Sequence, residues 1–169
     1  MWETIAVEAA EESPLWREAL RADGEPEPVF SSLGDDRHAL GLETIYEGYL
    51  VHYGRPRLFE PADDDTALLL GDYLYAHGLV RIADVGTVEA VADLAELISL
   101  CAQLRADSAP GDDVAWAASA ALLGARELEA ARVALRDEGD VGPLTALAET
   151  HAGGAALERA LAAHARRLR

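Results

Sequence analysis

The sequence predicts an all-α fold, a single helical bundle, on three observations. Alanine and leucine carry most of the apolar content and both favour helices, whereas the β-branched residues that mark strands are scarce. Apolar positions recur at helical spacing, as in Leu42, Ile45, Tyr46, Tyr49, Leu50 and Tyr53. Start and stop signals cut the chain into helix-length pieces. With 169 residues, half of them hydrophobic, one domain can build its own core. Residues 1–36 are expected to form N-terminal helices and a loop, and residues 37–169 the bundle.

Each element follows from local chemistry. Residues 2–10 are weakly helical, and Ser13 followed by Pro14 reads as an N-cap with proline at the first helical position. Gly24, Pro26, Pro28 and Gly34 make residues 23–36 the clearest loop. A helix with an apolar, partly aromatic face runs from about residue 36 to Tyr53, and Gly54, Pro56 and Pro61 end it. Asp63 to Asp65 place negative charge at the start of the next helix, through Leu68, Leu70 and Leu74 to about Val85. That helix is apolar around much of its girth, which predicts a central, buried position.

Gly86 and Thr87 then separate it from a helix carrying Val91, Leu94, Ile98, Cys101 and Leu104. Further helices are expected from Asp112, from Glu127 to about Asp137, from Pro143 to the Gly153-Gly154 pair, and on to the C-terminal arginines.

The formal charge of −17 excludes several functions. Such a surface repels phosphate backbones and anionic lipid heads, so neither nucleic acid nor a membrane surface is an expected partner. Every basic residue is arginine, because lysine is absent. The lone Cys101 rules out an internal disulfide and a cysteine metal cluster, and its apolar neighbours predict a buried thiol. No apolar run approaches the roughly 18 residues of a membrane span, and the N-terminus lacks a basic targeting region. A cytoplasmic location is the expectation.

Three segments carry a family resemblance. Glu43-Thr44-Ile45-Tyr46-Glu47 precedes Tyr53-Gly54-Arg55-Pro56-Arg57, which precedes Ala67-Leu68-Leu69-Leu70-Gly71-Asp72-Tyr73-Leu74. In that order and spacing the chain resembles the trans-isoprenyl diphosphate synthases (polyprenyl synthetases) over about residues 38–107. Their pattern is a DDxxD helix, an RRGxPT loop and a helix bearing a GDYL-like sequence. The resemblance implies part of the isoprenoid synthase fold. It makes Glu43, Glu47, Arg55, Arg57 and Asp72 candidate remnants of a diphosphate and metal site.

The departures carry as much information. In that family two aspartate clusters hold Mg²⁺ ions that bridge the allylic diphosphate, which requires several converging carboxylates. Here the first cluster is reduced to Glu43 and Glu47, with Thr44 in place of one ligand, and Asp112-Asp113-Val114-Ala115-Trp116 lacks the third carboxylate of a second cluster. His52 and Tyr53 stand where the arginine pair belongs, and the family's early lysine-arginine motif has no counterpart in a chain without lysine. No cofactor is expected, and Mg²⁺ would bind weakly at most.

The residues also have plainer readings. Glu43 and Glu47, four apart, share a helix face that reads as solvated. Arg55 and Arg57 have Glu60 and Asp63 within reach as surface partners, worth about 0–1 kcal/mol. Asp72 on an apolar helix needs a hydrogen-bond partner, and His77, one turn on, is the candidate. His38, His52, His151 and His164 are scattered without zinc spacing. Tyr46, Tyr49 and Tyr53 form a stripe suited to an interface.

The functional expectation is therefore a non-catalytic, isoprenyl-synthase-like subunit. It would act as a homodimer or as a heteromer with a larger prenyl synthase subunit. An unrelated helical binding or scaffold module is the alternative. A small enzyme using Asp72 with His77, or Glu43 with Glu47, ranks third. Convergence of Glu43, Glu47, Arg55 and Asp72 on one cavity would favour the first or third reading, and their dispersal the second.

Overall fold

The computed structural model describes residues 1–24 and 26–168. Among these the fold is all-helical: α1 (Trp2–Glu12), α2 (Pro14–Glu18), two 3-10 turns (Ser31–Leu33 and Asp36–His38), α3 (Ala39–Tyr53), α4 (Asp64–Val85), α5 (Val88–Ala106), α6 (Asp112–Ala121), α7 (Glu129–Glu138), α8 (Gly142–Ala152) and α9 (Gly154–Arg167). A single β-bridge, Leu20 to Phe59, is the one extended pairing among the described residues. No helix among them is long and apolar enough to cross a membrane.

The caps act where the sequence places them. The Ser13 hydroxyl accepts the Leu15 N–H at 3.2 Å ahead of Pro14. Asp63 accepts the Thr66 N–H at 2.7 Å to open α4, and Thr87 accepts the Ala90 N–H at 3.2 Å to open α5. Each satisfies a backbone donor that the first helical turn leaves orphaned.

Helices α3 and α4 form an antiparallel central pair whose close approach depends on glycine. Gly41 faces Gly78 and, seven residues on, Gly48 faces Gly71. A Cβ at Gly48 would lie 2.9 Å from the Gly71 carbonyl oxygen, and one at Gly78 would lie 3.0 Å from that of Gly41. The glycine of the Gly71-Asp72-Tyr73-Leu74 sequence is thus a helix-packing residue.

The main core spans α3, α5, α6 and the C-terminal helices. It includes Ile45, Leu94, Leu97, Trp116, Leu135, Leu144 and Leu157. A smaller core joins Ile5 and Ala9 of α1 to Leu70 and Leu74 of α4 through Leu58 and Phe59. Trp16 of α2 stacks on Tyr73 with ring centroids 4.0 Å apart.

One expectation is extended and one corrected. The loop between α2 and α3 also enters the core: Val29, Phe30 and Leu33 are buried there, and Glu43 satisfies the N–H groups of Val29 and Ser31. Helix α4 is buried on one side only. Leu70 and Leu74 are inside, but Leu68, Leu69 and Val80 are 56%, 59% and 58% exposed. Helices α1, α2, α3 and α5 do not cover the whole of its apolar girth.

Candidate functional site

The acidic pair of α3 is not a solvated face. Glu43 and Glu47 are both 0% exposed, and Arg57 lies between them at 1%. The chain reverses at Gly54 to Pro56, which brings Arg57 back alongside the helix that carries the glutamates. Its guanidinium donates to Glu43 Oε2 at 2.5 Å and to Glu47 Oε2 at 2.8 Å. It also donates to the carbonyl oxygens of Glu27 and Glu43 at 3.0 and 3.1 Å.

The remaining oxygens are taken by backbone donors. Glu43 Oε1 accepts the N–H groups of Val29 and Ser31, each at 3.1 Å. Glu47 Oε1 accepts those of Arg57 and Leu58, at 2.8 and 2.7 Å. Two carboxylates against one guanidinium leave an excess negative charge, and four backbone dipoles answer it. Burial opposes the charge on Arg57, but the glutamates outweigh it and push its pKa up. Trp2 and Tyr46 complete the enclosure, with ring centroids 4.6 and 4.9 Å from the guanidinium carbon.

This arrangement does not fit a Mg²⁺ site. The ion needs about six oxygen ligands in octahedral geometry, and every oxygen of Glu43 and Glu47 already accepts at least one N–H. Arg57 occupies the space between them with a positive charge. Thr44 is also committed: its hydroxyl donates to the Leu40 carbonyl at 2.6 Å and accepts from Arg81. Among the described residues no three metal-ligating side chains converge elsewhere.

The other candidates are dispersed. Arg55 is exposed at the end of α3 and donates to the Arg166 carbonyl at 3.0 Å, tying α3 to α9 rather than pairing with Glu60 or Asp63. It lines a surface cleft of about 420 Å³ with Arg21, Asp23, Pro56, Arg57 and Arg167, which Glu43, Glu47 and Asp72 do not line. Asp72 is exposed, and its partner is His52 at 3.3 Å, not His77. His77 lies 3.8 Å from Glu8 instead. Asp72 and His77 are five residues apart on α4 and so turn to different sides.

The tyrosine stripe faces inward. Tyr46 and Tyr49 are 1% and 0% exposed, which removes them from any interface, and Tyr53 is half-buried against Tyr49. They belong to a second polar cluster. The Tyr46 hydroxyl lies 2.9 Å from His164 Nδ1, and His164 Nε2 lies 3.6 Å from Asp112. Tyr49 donates to Asp112, and Arg105 reaches both Tyr49 and Asp112. Burial alone would raise the Asp112 pKa, but His164, Tyr49 and Arg105 hold it well below the usual carboxylate range. Burial first, then the Asp112 hydrogen bond, pushes the Tyr49 hydroxyl far above its ordinary value.

Sequence reasoning missed this cluster because its members lie 63 and 118 residues apart along the chain. One signal was present: polar-tipped tyrosines on an apolar helix face need partners once buried. Chemically the cluster clamps α9 and the start of α6 onto α3. No family model, curated protein or solved structure matches the chain.

Proposed function

We propose that this protein is a non-catalytic helical subunit that acts by association. The observation that carries the reading is the Glu43–Arg57–Glu47 lock. In the resembled synthases carboxylates at such positions hold the metal that draws off diphosphate. Here the two carboxylates are spent on Arg57 and on four backbone N–H groups, so a ligand would have to break the core to reach them. Arg55 and Asp72 lie outside that lock, each with a different partner. This dispersal favours a general helical association module. A heteromer with a larger prenyl synthase subunit is the competing reading, and it rests on the order of the three sequence motifs.

The test is direct. Purified protein incubated with an allylic diphosphate, isopentenyl diphosphate and Mg²⁺ is expected to give no elongated product. Product formation by the wild type that disappears in a folded Glu47→Gln variant would overturn the reading.

A further inference from the structure

Resting on the reading of this chain as an associating subunit, we infer that the outward face of α4 and α5 is a two-fold interface with a second copy of the chain. Among the described residues the large hydrophobic side chains left exposed number nine, and three of them lie on the outward stripes of α4 and α5: Leu69, Val80 and Val88.

The outward stripe of α4 runs through Asp65, Leu69, Asp72, Ala76, Val80 and Ala83, all exposed, with Asp65 in the first turn and Asp72 its two charges. The outward stripe of α5 is Val88, Ala92, Ala95, Ser99, Ala102 and Ala106, spaced alternately four and three residues apart and all exposed. It carries no charge, and the Ser99 hydroxyl is spent on the Ala95 carbonyl at 3.0 Å. A chain of net charge −17 thus leaves the α5 face uncharged and the α4 face beyond its first turn with Asp72 alone. Depletion of charge at the centre of a patch is the compositional mark of an interface.

The occupant follows from shape, charge and area. Helix α4 offers protruding Leu and Val side chains, and α5 offers a shallow groove of Ala and Ser. These are complementary to each other, and they lie side by side on one molecule. A two-fold axis between them sets each copy's α4 against the other's α5, which satisfies both at once and closes the assembly. A basic protein partner would be drawn to the acidic remainder of the surface, not to this neutral face. Two copies, each strongly acidic, meet most closely where the charge is sparsest.

The size is also sufficient. Helix α4 has 22 residues and α5 has 19, so they run about 33 and 28 Å. Two helices side by side present about 600 Å² in flat projection, and side-chain relief raises this toward the roughly 800 Å² per partner of a stable complex.

Light scattering on a sizing column is expected to report twice the chain mass at tens of micromolar. The dimer should tighten as salt screens the acidic repulsion. Ala95→Glu and Val80→Glu should each yield monomer with unchanged helix content by circular dichroism, because both positions are exposed within one chain. Val133→Glu, an exposed hydrophobic position on α7, should leave the dimer intact. A wild-type monomer at these concentrations overturns the inference, as does a dimer indifferent to Ala95→Glu and Val80→Glu or one equally broken by Val133→Glu. Each of these three results leaves catalytic silence standing, because turnover alone tests that. Turnover would sink the non-catalytic reading and leave the dimer untouched.

Discussion

Arg57 shows how burial changes the meaning of a charged residue. On the surface an arginine between two glutamates contributes about 0–1 kcal/mol. Inside, removing it strands two carboxylates in a medium that solvates them poorly, which costs about 3–5 kcal/mol. Arg57→Met is therefore expected to destabilise the fold by that amount in urea unfolding, and exposed Arg55→Ala by less than about 1 kcal/mol. Equal effects would mean that the lock is solvated after all. Half of this site was legible in the sequence: glutamates four apart on a helix share a face. The other half was not, because sequence periodicity does not say that a Gly-Arg-Pro reversal returns Arg57 to the same place. Long-range closure of this kind also hid Asp112 and His164 from the tyrosines they serve.

At the scale of single helices, periodicity and capping chemistry located the α-helices of the described residues to within a few residues, because both signals are local. They could not assign the buried side of α4, which is apolar on several faces. The side was decided by the glycine pairs, Gly41 with Gly78 and Gly48 with Gly71, which let α3 approach one face only. Their seven-residue spacing was present in the sequence, but it becomes a signal only when both helices are known to be antiparallel neighbours. A sharp mutational contrast follows on one helix. Leu70→Ala and Leu74→Ala each empty a buried site and should cost about 2–5 kcal/mol. Leu69→Ala, next in sequence but 59% exposed, should change monomer stability by no more than about 0.5 kcal/mol. In the monomeric Ala95→Glu background, which removes any contribution of association, thermal melts in which Leu69→Ala falls as far as Leu70→Ala would contradict the assigned face.

For the whole molecule, the titrating groups that bind its parts together point to one pH dependence. His38, beside the α4–α5 junction near Gly86, and His52, between α3 and α4, both have pKa values lowered below 6.5, chiefly by burial. The native state therefore keeps them neutral, and the unfolded chain takes up their protons first as pH falls. Their contribution to stability is fully present above about 6.5 and declines below it. Asp112 acts lower on the scale. With its pKa held below the free value by His164, Tyr49 and Arg105 against the effect of burial, its contribution is present above about pH 4 and is lost as pH falls further. Urea unfolding in the Ala95→Glu background, where the chain is a monomer and association contributes nothing, should therefore give a free energy that drops between pH 7 and 5. A second drop should follow below pH 4, shallower in Asp112→Asn than in wild type. The order is structural: the first protons loosen the packing around α4, and the last ones release α6 and α9 from Tyr49 and Tyr46. A flat profile from pH 7 to 5, or an acid limb unchanged by Asp112→Asn, would mean that these groups do not carry the coupling between α3 and the rest of the bundle.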